Sequence, residues 1–223
     1  MLQNSKPTSQ IQQWYDKLAP VVAEARETLK QVTPAKLVLR SGCIQDTDGN
    51  YRLALLGQEY VVSATDFSVR WAGDEREAPS FFQSLILTYL VMADGTTPSS
   101  RWIGFRELPD GMFYVQAFDG YSGGRLVREL PGGIATFRRA AEAVGAKMEG
   151  RPLDIGDAGY AFTVLPRIHM AVIYWDGDEE DGFPPQARVL FEDTAACYMP
   201  TDGLAILGSQ LVSRLLKAAK SSP

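Results

Sequence analysis

The chain has 223 residues, 45% hydrophobic and 22% charged, enough apolar chain to bury roughly 70% of its unfolded surface, which excludes a disordered polymer or a disulfide-dependent miniprotein. Its 22 Lys and Arg against 27 Asp and Glu give a formal charge of -5, so no general electrostatic pull toward nucleic acid or anionic lipid is expected. Two cysteines, Cys43 and Cys197, form no CxxC, which rules out a four-cysteine metal site within one chain and fits a reducing, cytoplasmic location.

The leader MLQNSKPTSQ lacks the basic start and apolar stretch of a secretory signal, which predicts a protein that is not exported. Ile11, Trp14, Leu18, Val21, Val22, Ala25 and Leu29 then recur at three- and four-residue steps, the pattern of an amphipathic helix that Pro20 should kink or restart. This N-terminal helical segment, 1–36, is expected to pack on one α+β unit, 37–223. QDTDGN, with its Asp-Gly dipeptide, predicts a hairpin turn. Between Asn50 and Trp71 the short runs YRLALL, EYVVSA and FSVRW predict an antiparallel meander. Pro79 to Ala93 is apolar on nearly every side, which predicts a buried helix. Gln83, Ser84 and Thr88 interrupt it too soon for a membrane span.

A loop from Asp94 to Ser100 leads into RWIGFRELPDGMFYVQAF, where RWIGF suggests a strand, PDG a turn and GMFYVQAF a return strand. Ser122, Gly123 and Gly124 suggest a flexible connection, since their spacing fits no phosphate-cradling loop. Ile134, Phe137, Ala140, Ala141 and Val144 mark a helix capped by Gly145. YAFTVLP and HMAVIYW predict two strands joined at Pro166 and Arg167, and ARVLFED a further one. In the last helix Leu204, Leu207, Leu211 and Leu215 share a face, with Thr201 or Asp202 as the expected N-cap. Strands in runs and helices in runs predict a single α+β domain, with a mostly antiparallel sheet of about five to seven strands and about four to five helices.

The chain carries no GxGxxG after a strand, no Walker A, no GxSxG and no HExxH, so the common nucleotide, hydrolase and zincin signatures are missing. WDGDEEDG gathers Asp176, Asp178, Glu180 and Asp181 but has Asp181 where a calcium loop needs glycine and Ala187 where it needs glutamate, so a solvated loop and no metal site are expected. His169, the sole histidine, heads an apolar strand and reads as an edge residue. Cys197 has no evident activating partner and reads as a small buried hydrophobe. Trp102, Phe105, Phe113, Tyr114, Phe118 and Tyr121, interleaved with Arg101, Arg106, Glu107 and Asp110, suit both a flat polar ligand and a loop packed over a sheet.

WIGFRELPDGMFYVQAF, GDAGYAFTVLPRIHMAVIYWDGDEE, ARVLFEDTAACYMPTD and LAILGSQLVSRLL, with the meander and LILTYL, resemble in order and spacing the domain-of-unknown-function family 3786. His169 and Cys197 stand where that family pattern carries other residue types. The resemblance implies an uncharacterised protein of anaerobic bacteria and archaea, in the neighbourhood of corrinoid or one-carbon metabolism, with a metalloprotein or iron–sulfur/corrinoid partner. The chain's two cysteines cannot hold such a cluster themselves.

The shared segments end in polar and aromatic groups, and loop ends on a rigid sheet collect functional residues. The expected ligand-binding set is Trp102, Arg106, Glu107, Tyr121, Asp157, Arg167, Tyr198 and Asp202. Trp102 and Tyr121 would stack on a cofactor-sized ligand of unspecified identity while Arg106 and Arg167 engage carboxylate or phosphate, the profile of an accessory or binding module. The alternative is a small enzyme whose acid and base come from Glu107, Asp157 and Asp202. A purely structural subunit would instead show an exposed apolar patch and no pocket.

Overall fold

Helix α1 (Gln10–Leu29) runs through Pro20 as one element and packs on helix α3 (Ser80–Met92). The computed structural model of the chain describes residues 10–178 and 182–221, so most of the leader, Glu180 and Asp181 lie outside the described residues. Helix α2 (Pro34–Ser41) has proline at its first position and ends on Gly42 at φ 69, the arrangement that places proline where no amide is needed and glycine in the left-handed cap. The boundary drawn at 36/37 falls within this helix.

The meander forms as its alternation predicts. Strands β1 (Ile44–Gln45), β2 (Tyr51–Leu55), β3 (Gln58–Val62) and β4 (Val69–Trp71) pair antiparallel in sequence order. The β2–β3 turn consists of Leu56 at φ 52 and Gly57 at φ 75. A branched residue is strained there, and two contacts hold it: the Leu56 side chain is buried and its N–H donates to the Val164 carbonyl at 2.8 Å. The tip of the first sheet is thereby tied to the second.

That second sheet has the order β5 (Trp102–Gly104), β9 (Gln186–Glu192), β8 (Ile168–Trp175), β7 (Ala158–Leu165), β6 (Arg151–Leu153), antiparallel throughout. The fold is thus α+β, with nine strands divided between two antiparallel sheets and seven α-helices among the described residues. Alternation gives each strand two faces. Phe162, Met170, Val172 and Phe191 join the main core beneath helices α5 (Gly123–Glu129) and α6 (Gly133–Gly145). Trp102, Ala161, Ala171, Ile173, Trp175 and Leu190 gather on the opposite face, where Arg151 and Arg188 lie over the two indoles at 5.9 and 5.8 Å.

Three local expectations are corrected. GMFYVQAF is not a return strand: Gly111–Phe113 is a 3₁₀ turn, and helix α4 (Val115–Tyr121) follows. The helix is accompanied by packing: Phe118 stacks on Phe105 at 4.2 Å and both rings abut Phe191. Ser122–Gly124 is not a flexible connection but a tight corner between α4 and α5. A Cβ on Gly123 would overlap the Ala187 carbonyl oxygen, and the buried Ser122 hydroxyl donates to the Phe118 carbonyl at 2.6 Å. Thr201 and Asp202 lie inside the first turn of helix α7 (Thr201–Ser221), not at its cap, because the Pro200 carbonyl already accepts the Leu204 N–H. The Thr201 hydroxyl turns away to the Pro109 carbonyl at 2.6 Å.

Candidate functional site

Helix α7 buries Leu204, Leu207, Leu211 and Leu215 on the face predicted from their spacing. Ala205, Ile206, Ser209 and Gln210 lie along a neighbouring face, and these line one wall of a groove of about 950 Å³. Phe81 and Met92 from α3, Ala117 and Tyr121 from α4, and Phe105, Pro109, Asp110 and Tyr114 from the intervening corner supply the other walls. The Thr201–Pro109 bond anchors the start of α7 to that corner, and Tyr121 stands edge-on to Phe118 with centroids 5.6 Å apart.

Two features decide what this groove can hold. Among the described residues its only charged lining residues are Asp110 and Asp202, which favour a cation or a hydrogen-bond donor. Its apolar surface also continues from the wall residue Tyr114, 64% exposed, to Met112 and Phe113 outside the lining, 59% and 81% exposed. Large apolar side chains left this open in a cluster mark an interaction surface far more often than scattered ones do.

The eight residues expected to form one site are distributed over several. Tyr121 and Asp202 line the groove. Trp102 lies on the outer face of the five-stranded sheet, under Arg151, with the sheet between it and Tyr121. Arg106 is exposed on the 3₁₀ turn Phe105–Glu107, and Glu107 caps that turn by accepting the Gly104 N–H at 2.7 Å. Asp157 accepts the Asp176 N–H at 2.8 Å at the far end of β7. Glu107, Asp157 and Asp202 therefore serve three separate backbone donors, Gly104, Asp176 and Gly203.

Arg167 and Tyr198 do come together, in a buried brace. The Tyr89 hydroxyl donates to the Ser41 carbonyl and accepts the Arg167 N–H at 3.1 Å. Tyr198 stacks beside Tyr89 with centroids 5.9 Å apart and donates to the Thr96 carbonyl. Burial pushes both phenols up, so they stay neutral donors. Burial likewise raises the thiol of Cys43, whereas Cys197 is only half-buried. The Arg167 Nε is buried against Gly42 without a hydrogen-bond partner.

His169 is not an edge residue: it stands near the start of β8, the central strand of the five-stranded sheet, opposite Thr163 of β7. Its Nδ1 lies 2.9 Å from Glu192 Oε2, and the buried Glu192 also accepts the Ser100 N–H. Among the described residues no group of three or more His, Cys, Asp and Glu is placed to hold a metal ion, and no helix is long and apolar enough to cross a membrane.

Sequence reasoning passed over Phe81, Met92, Ala117, Ala205 and Ile206. The available signal was the second stripe of α7, in which Asp202, Ile206 and Ser209 repeat at helical spacing beside the leucine face. A family model described as Domain of unknown function (DUF3786) matches residues 33–214, which include every residue of the groove. No curated protein and no solved structure matches the chain.

Proposed function

We propose that this chain, which belongs to the DUF3786 family, is a binding module whose recognition surface is the groove between α3, α4 and α7. The observation that carries this reading is a cavity of about 950 Å³ with aromatic and aliphatic walls and two carboxylates. That volume lies at the upper end of ligand sites, and such sites combine apolar walls with a few placed polar groups. The target is apolar over most of its contact area and presents a cation or donor to Asp110 and Asp202. Tyr121 contributes the stacking expected of it, while the charge recognised is opposite in sign to what Arg106 and Arg167 would select.

Titration with the neutral fluorophore Nile red tests the groove. Saturable, blue-shifted emission is expected, weakened about tenfold or more by Ala117→Trp and by Ser209→Phe, which project bulk into it. Arg106→Ala, outside the lining, should leave the titration unchanged. Absence of binding, or binding that neither filling variant disturbs, overturns the reading.

A further inference from the structure

We infer that the occupant of the groove is a helical segment of a partner protein, apolar along one face and carrying a lysine or arginine for Asp110 and Asp202. This rests on the groove being a binding surface and goes on to name what it binds.

One wall is a single face of α7 running from Thr201 to Gln210, a stretch of about 14 Å at the α-helical rise. Helix α3 contributes the side chains near its two ends, Phe81 and Met92, 11 residues or about 16 Å apart. A trough that follows one face of α7 for this length suits a helix laid alongside it. A helix about 10 Å across fills about 120 Å³ per residue, so the groove volume takes about eight residues, or roughly two turns. Ala205 and Ser209, four residues apart on α7, let a helix approach closely.

Three other occupants fit less well. A small molecule confined to the groove would leave Met112 and Phe113, outside its lining, uncovered at exposures of 59% and 81%, whereas a helix that extends past the mouth covers them. A second copy would set the Asp110 and Asp202 pairs of both copies toward one another across a two-fold axis. An anionic lipid surface would be repelled by the same carboxylates. Helix-in-groove recognition with a basic residue satisfies both the apolar walls and the acids.

The probe is an end-capped, fluorescently labelled leucine–lysine peptide with leucines at i, i+3, i+4 and i+7 spacing, compared with its leucine–glutamate counterpart and with a proline-interrupted leucine–lysine peptide. By anisotropy the leucine–lysine helix should bind saturably, displace Nile red and bind about tenfold tighter than either control. The double variant Asp110→Asn, Asp202→Asn should narrow the lysine-to-glutamate preference to about threefold or less, and Ala117→Trp should remove binding. Asparagine suits position 110, where φ is 58.

Equal binding of the lysine and glutamate peptides, or of the interrupted peptide, overturns the inference. A concentration-dependent dimer that Ala117→Trp dissociates, seen by sedimentation, overturns it in favour of a second copy. If Nile red binds as described and no peptide does, the helical occupant is wrong while the groove stands. If neither binds, both fall.

Discussion

Helix α3 serves two regions of opposite character. Near its C-terminal end Tyr89 is fully buried and its hydroxyl is committed to Ser41 and Arg167, with Tyr198 stacked beside it and committed to Thr96. Met92 of the same helix instead lines an open groove rimmed by Tyr114 and Tyr121, of which 64% and 40% remain exposed. The difference teaches where free energy resides. In the brace, aromatic area and hydrogen bonds are spent on the native state, whereas at the groove equivalent area is still available to a partner.

Tyr89→Phe should break that contrast most forcefully. It strands the buried Ser41 carbonyl and the Arg167 N–H, at a cost of about 2–3 kcal/mol in urea unfolding, with Nile red affinity unchanged. A loss under about 1 kcal/mol, or a parallel fall in affinity, would mean that the two regions are not separate. Tyr121→Ala should do the reverse. Removing a half-exposed edge-to-face contact lowers stability by about 1 kcal/mol or less, while probe affinity drops several-fold.

The smallest effect lies outside both regions. The Ser63 hydroxyl, then the Ser68 amide and hydroxyl, hold the Asp66 carboxyl down at about 2 from an ordinary 3.8. A depressed carboxylate stabilises fully above its unfolded value and loses that contribution as pH falls through its folded one. Melting temperatures should therefore show an Asp66-dependent decline between about pH 4 and pH 2 that Asp66→Asn removes. The contribution should be well under about 1 kcal/mol because the group is exposed.

Strands and long helices were legible in the sequence because each buries a face with its own period: the meander, the two long strands β7 and β8, and the leucines of α7 all stand where alternation or helical spacing places them. GMFYVQAF was harder, because Met112 to Tyr114 look apolar enough for a strand. Tyr114, Phe118 and Tyr121 in fact stand at helical steps, and the stacking of Phe118 on Phe105 accompanies the helix. Ser122–Gly124 reads as loose locally. Its tightness comes from Ala187, remote in sequence. The groove was not legible because its walls come from α3, the continuous stretch 105–121 and α7, and no local pattern announces that three separate stretches leave a space between them.

The Leu56 turn has a bearing on how the protein is made. The N–H of its strained Leu56 donates to the Val164 carbonyl, which leaves the ribosome long after the meander has emerged. The first sheet must therefore wait, its hairpin tip unsatisfied, until β7 is synthesised. Nascent chains arrested before Val164 should hold β2 and β3 in a protease-sensitive state, and those arrested after β8 has cleared the exit tunnel should become resistant.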